Sequence, residues 1–285
     1  MRPTVGSRFR GVAEPMTKTE VKTIMEFLAE NPQVDVSAAW KRCWGIQTGI
    51  VDRVRERFPC ELHPSCEGRE YYTSPDGAME GSFQAYSSQE VPWLVHSWIG
   101  NRHASILDIN ATVFLGEQNR VPHLAVIFGT IPRLFFYAEY TPRVDLRVNP
   151  EYLERYYEPA NAAYLEFQGN PAFTQYVSHG AYLRALMSPV CISHTAELTD
   201  ANIDLCEQYL DGFLDRWFGW LDEAEPVPED ERAAQRDFDF KVRELGYRLD
   251  PMNVLPQKVF GEEEFQRMLE LRIGTEQIRE ALAAS

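Results

Sequence analysis

Glu80, His96 and Asp108 are the residues whose types and spacing point most directly to proton chemistry. Each lies in a segment where apolar and polar side chains alternate, so each projects from one face of an extended strand. If the turns between these segments centre on Ser88 and Arg102, Glu80 lies opposite His96 and His96 opposite Asp108. That pairing predicts a row of three ionisable groups across three strands. A carboxyl in such a row can donate a proton near neutral pH only when burial or a neighbouring negative charge raises its pKa. The same pattern also suits a solvated strand on which Glu80 pairs with an arginine.

Other chemistries find less support. Cys60, His63 and Cys66, with Cys43 as a conceivable fourth, offer metal-ligand types in one uneven run rather than the two tight pairs of a structural zinc site. No metal site is expected. The chain lacks G-x-G-x-x-G, G-x-x-x-x-G-K-[ST] and G-x-S-x-G, so dinucleotide, P-loop and serine-hydrolase readings have no motif behind them. The five cysteines are odd in number and scattered, which fits a reducing compartment. A net charge of −15 argues against nucleic acid or an anionic membrane as partner. There is no apolar run long enough to span a bilayer and no secretory signal, so the expected location is the cytoplasm.

The elements that must position these residues follow from periodicity. Residues 1–16 are expected to be a flexible tail, and 17–285 one domain. Thr17 and Glu20 form a capping-box signature for a first helix ending near Asn31, and a second helix is predicted from Ser37 to Phe58. Period-two segments follow at 79–86, 91–99, 104–115, 122–129 and 133–140, joined by loops short enough to imply an antiparallel meander, with 189–195 as a sixth strand. Helical patterns return around 150–157, 180–187, 199–222, 229–246 and 261–272. The whole reads as an α+β fold, an antiparallel sheet covered by helices on both faces. In the third segment Leu107, Ile109, Ala111, Val113 and Leu115 form a core face. Ile106, Asp108, Asn110, Thr112 and Phe114 form a more polar face that either meets solvent or lines a pocket.

Five stretches carry a resemblance when taken in order. They are A-M-E-G-S at 78–82, H-S-W-I at 96–99, R-V-D-L-R-V-N-P-E-Y-L-E-R-Y-Y at 143–157, Y-V-S at 176–178 followed by Leu183, Arg184 and Ser188-Pro189, and V-F-G-E-E at 259–263. From Met79 onward the chain resembles red chlorophyll catabolite reductase, within the ferredoxin-dependent bilin reductase superfamily. The resemblance implies an α/β/α sandwich, often a homodimer, that holds an open-chain tetrapyrrole between the sheet and the C-terminal helices. It also implies single electrons from reduced ferredoxin, protons from side chains, a substrate radical and no bound cofactor. By the same resemblance Glu80 and Asp250 correspond to the family's proposed catalytic acids, and His96 more loosely to a histidine of the biliverdin-reducing members. Asp108 is the third candidate acid, and Trp98, Asn110 and Phe136 are candidate substrate contacts. His96 and Asp108 depart from the plant enzymes and put the plant substrate in doubt. Docking of an acidic ferredoxin would need a local basic patch, for which Arg53, Arg55 and Arg57, or Arg232, Arg236, Lys241 and Arg243, are candidates. The competing functions are reuse of the sandwich for cofactor-independent chemistry on another aromatic metabolite, and a non-catalytic tetrapyrrole-binding protein.

Overall fold

Alternating side chains turn the middle of the chain into a meander, and the long amphipathic segments on either side of it become the covering layers. The computed structural model describes residues 19–20, 26, 33–131 and 133–275. In chain order the elements are β1 (Thr19–Glu20), α1 (Ser37–Arg57), β2 (Glu61–Leu62), β3 (Tyr72–Thr73), β4 (Glu80–Ser87), β5 (Trp93–Asn101), β6 (Ile106–Phe114), β7 (His123–Thr130) and β8 (Leu134–Thr141). Then come α2 (Pro150–Tyr156), α3 (Glu158–Gln168), β9 (Phe173–Tyr176), α4 (Ala181–Leu186), β10 (Ile192–Ala196), α5 (Asp200–Asp222), α6 (Glu229–Arg248), α7 (Val254–Phe260) and α8 (Glu262–Ile273).

Strands β4 to β8 pair sequentially and antiparallel; β10 adds beside β8, β9 beside β10, and β1 pairs in parallel with β9. The α+β sandwich is therefore as the periodicity and the resemblance imply. The predicted first helix falls mostly outside the described residues, and Thr19–Glu20 within it form strand β1. Periodicity also missed α3, α7 and β9, which are short or lack an alternating face.

One sheet face is sealed. Leu107, Ile109, Ala111 and Val113 pack with Val126, Phe128, Phe136 and Tyr140 beneath α1 and α5. Helix α1 lies across β6 and β7, where the buried Gln47 side chain donates to the Ile109 and Val126 carbonyls at 2.8 and 3.0 Å. Helix α5 starts at Thr199, whose hydroxyl accepts the Asn202 N–H, and it buries Ile203, Cys206, Leu210, Phe213, Leu214 and Trp217 at helical spacing. Its polar atoms are satisfied too: the Trp217 indole donates to the Pro122 carbonyl at 2.8 Å, and Tyr140 donates to the Phe213 carbonyl at 2.6 Å.

The other face is covered by α6 and α8. Trp93 donates its indole N–H to the Leu271 carbonyl at 3.1 Å. Helix α8 ends there because Gly274 takes a left-handed conformation, φ 63°, and a Cβ at that position would meet the Trp93 ring at 2.6 Å.

The register corrects the expected row of three. Gln84, not Glu80, lies opposite His96, and Glu80 lies opposite Gly100. The turn after β4 runs from Ser88 to Val91, with Ser88 N–H donating to the Val91 carbonyl at 2.9 Å, so it is longer than a turn centred on Ser88. That slip is even and leaves Glu80 and His96 on one face. The next loop, in which Ser105 adopts a left-handed φ of 69°, places His96 opposite Ala111. This slip is odd, so Asp108 projects from the opposite face to His96.

Candidate active site

The face under α6 and α8 is built from rows of cross-strand neighbours. One row runs Phe135, Gly129, Asp108, Ile99 and Gly81; the next runs Ser193, Tyr137, Ile127, Asn110, Ser97 and Phe83; a third contains Glu139, Ala125, Thr112, Val95 and Ala85. The middle of this surface is made of small residues. Asp108, Ala125, Ile127, Phe135 and Tyr137 remain partly accessible although they sit in interior strands, while their neighbours Ile109, Val126, Phe128, Phe136 and Ala138 on the sealed face are fully buried. The sheet is therefore left partly open beneath the C-terminal helices, and this open strip is the candidate cleft.

Charged groups converge on it. Asp108 accepts a hydrogen bond from the Asn110 amide at 2.9 Å and faces Arg272 Nη1 at 3.6 Å. Burial raises the Asp108 pKa, and the Arg272 charge partly offsets that rise. Asp250 follows α6 and caps the turn Pro251–Asn253, its Oδ1 accepting the Met252 N–H at 2.8 Å. Burial pushes its pKa up to about 6, with the Asp108 charge adding to the rise. Tyr247 completes this wall, its hydroxyl 3.4 Å from that of Thr112 and its ring 5.6 Å from the Arg272 guanidinium. Tyr137 and Tyr176 extend from β8 and β9 within electrostatic reach of Asp250.

The remaining predicted site residues lie elsewhere. Glu80, near the edge of the sealed face, is clamped by Arg102 through contacts of 2.6 and 2.8 Å and accepts the Tyr71 hydroxyl at 2.8 Å. The Arg102 hydrogen bond lowers its pKa, so it is held as a carboxylate. His96 is 3% exposed and stacks on Trp44 with centroids 3.8 Å apart, and burial pushes its pKa down to about 4. Trp98 packs edge-on against Trp40 at 5.2 Å, and Phe136 is sealed among Phe128, Phe167 and Tyr209. Trp98 and Phe136, expected as substrate contacts, project from the sealed face, opposite to Asp108 and Asn110. Asn110 faces into the candidate cleft.

Sequence reasoning missed Arg272 and Glu139. An acid inside the apolar run L-F-F-Y-A-E-Y was the available signal, since alternation puts Tyr137 and Glu139 together and apart from Phe136. Nothing local marked Arg272.

Cys60, His63 and Cys66 make separate contacts: Cys60 with the Ser88 hydroxyl at 3.6 Å, His63 with the Ser65 hydroxyl at 2.8 Å, and Cys66 with the Ala85 N–H at 3.1 Å. No group of three or more metal-ligating side chains forms among the described residues. The basic clusters are largely neutralised. Arg53 and Arg57 pair with Asp215 and Asp222 at 2.8 and 3.0 Å, and Arg55 lies over the Tyr86 ring. Arg236 pairs with Glu117, Lys241 pairs with Glu244, and Arg243 lies over Phe114. Among the described residues no helix is long and apolar enough to cross a membrane.

Residues 45–271 match the red chlorophyll catabolite reductase (RCC reductase) family. The chain belongs to that family. It is 25% identical over 247 residues to the chloroplastic red chlorophyll catabolite reductase of Arabidopsis thaliana, covering 79% of this chain and 76% of the plant protein. Its fold is similar to that of tomato phytochromobilin synthase, crystallised in complex with biliverdin, with a TM-score of 0.65, 15% identity and coverage of 80% and 81% of the two chains. As a member of the RCC reductase family the chain is an oxidoreductase of the chlorophyll-catabolite reductase type.

Proposed function

We propose that the chain reduces an open-chain tetrapyrrole lying flat on the cleft floor, taking single electrons from reduced ferredoxin and protons from Asp250 and Asp108. The observation that carries this reading is a pair of carboxyls, Asp108 and Asp250, whose ionisation burial opposes, with Arg272 acting on both at the candidate cleft. Adding an electron to a conjugated tetrapyrrole makes it more basic, and a neutral carboxyl beside it can then protonate it. Two such additions, each of one electron and one proton, saturate one double bond through a substrate radical. Arg272 restrains both carboxyls from rising as far as burial alone would take them.

Glu80 and His96 serve the fold in this reading. Glu80 is an ionised carboxylate held by Arg102, and His96 a neutral ring in the α1 layer, and neither holds a proton ready for the cleft. Biliverdin in the tomato structure supports a tetrapyrrole as ligand class.

The test is anaerobic incubation with biliverdin and, separately, with red chlorophyll catabolite, each with a ferredoxin reducing system, followed by absorbance. Loss of the long-wavelength band of either compound is expected. Tight binding without conversion under reduced ferredoxin would favour a carrier, and turnover of another aromatic compound without any electron donor would favour reuse of the sandwich.

A further inference from the structure

Tyr72, on β3, joins the candidate cleft through a glycine. Gly81 lies opposite Tyr72 on one side and opposite Ile99 on the other, and Ile99 lies opposite Asp108. Cross-strand partners share a sheet face, so Tyr72 stands in the Asp108 row, three strands away, at about 14 Å by the usual strand spacing. Gly129 follows Asp108 on the other side, so bare backbone flanks the Ile99 and Asp108 pair along the row. A Cβ on Gly81 would meet Cζ and Oη of Tyr72 at 2.6 Å; the hydroxyl end of the phenol therefore lies directly over that glycine. The glycine of A-M-E-G-S thus has a physical reason, because a side chain there would displace the phenol.

The ring is held in place. Phe260, at the end of α7, packs edge-on to it at 5.9 Å, and Phe83, Trp93 and Leu271 form the apolar cluster beside it. Its hydroxyl makes no hydrogen bond among the described residues, and both Tyr72 and Ile99 remain partly accessible. Burial pushes the Tyr72 pKa up to about 12, so the phenol keeps its proton at neutral pH and can donate it to a hydrogen bond. The charges acting on it are balanced: Arg69 ion-pairs with Glu264, and Arg272 faces Asp108. That balance suits a neutral polar group of a ligand rather than a carboxylate.

We propose that Tyr72 closes one end of the cleft and donates a hydrogen bond to a terminal lactam oxygen of the tetrapyrrole, which makes it a specificity-determining residue for the end group of the ligand. The inference rests on the tetrapyrrole reading of the cleft. An open-chain tetrapyrrole ends in a lactam carbonyl, a neutral acceptor, and a ligand lying over Asp108 along the row meets the phenol with that end. A ligand without the acceptor covers the hydroxyl and leaves it unpaired, and that cost is the discrimination.

The experiment measures dissociation constants by absorbance titration, with no reductant, for biliverdin and red chlorophyll catabolite and for the same compounds methylated on their terminal lactam oxygens. Wild type is compared with Tyr72→Phe, which keeps the ring against Phe260 and removes only the hydroxyl. The variant is expected to bind the unmodified compound about five- to tenfold more weakly, the size of one neutral hydrogen bond, and the methylated compound within about twofold of wild type. Equal losses on both ligands, or no loss on either, would overturn the assignment. Because no electron is delivered, the comparison holds whether the bound compound is reduced or only carried. A tetrapyrrole bound equally by wild type and Tyr72→Phe removes the assignment and leaves the tetrapyrrole reading standing, whereas a wild type that binds neither compound removes both.

Discussion

The negative charge of Asp108, on β6, raises the pKa of Asp250, which lies across the cleft at the end of α6. Two acids on different elements are thereby coupled, and removing either alters the other. Asp250→Asn preserves shape while deleting the proton, so tetrapyrrole binding should persist and turnover should fall by about 10²–10⁴-fold. Absorbance titration gives the first quantity and steady-state rates the second. If turnover stays within threefold of wild type, Asp250 is only a turn cap.

Asp108→Asn makes a prediction about pH. In the proposed reaction Asp250 donates when protonated, so the rate should decline as pH rises through its value of about 6. Deleting the Asp108 charge lowers that value, and the alkaline limb should move to lower pH. Arg272 acts in the opposite sense, because its positive charge lowers both carboxyls. Arg272→Gln should therefore move the limb upward. Limbs that do not move in opposite directions would break the coupling argument.

The meander was legible because period two survives in every strand of it, from Glu80 to Thr141. Register was not, since it depends on loop geometry such as the left-handed Ser105, which no alternation encodes. That single slip decided which acids share a face. Asp108 and Asn110 could be assigned to a polar strip, and the family resemblance supplied Asp250, but Arg272 reaches the cleft only through the packing of α8 against Trp93.

Glu80 offers a contrasting test. Its ion pair with Arg102 is partly buried, with side chains 15% and 29% exposed, and the Arg102 guanidinium lies over Trp40 and Trp98. Glu80→Gln should lower stability by about 1 kcal/mol and leave turnover within about twofold. Because the pair lowers the Glu80 pKa, its contribution is present above the unfolded value and fades as pH falls through the folded one. Chemical denaturation together with steady-state rates checks both halves. A hundredfold loss of turnover in a stably folded Glu80→Gln variant would move the active site to the other sheet face.

His96 should make the protein sensitive to acid rather than assist the reaction. Its ring is stacked on Trp44, and burial lowers its pKa from 6.5 to about 4. Above pH 6.5 neither the folded nor the unfolded state carries its charge, so its contribution is then at its most favourable. Between those values the unfolded chain binds a proton that the folded one excludes, and stability must fall as pH falls. At about 1.4 kcal/mol per pH unit, the full loss approaches roughly 3 kcal/mol. His96→Phe keeps an aromatic ring against Trp44 but has no site to protonate. His123 and His194 are also pushed down to about 4 by burial, and they remain in both proteins, so the difference between wild type and variant isolates His96. Denaturation curves at pH 7.5 and pH 4.5 should show the variant losing less stability than wild type over that interval. Equal losses would mean that His96 takes up its proton while folded, which a ring sealed at 3% exposure against Trp44 should not do.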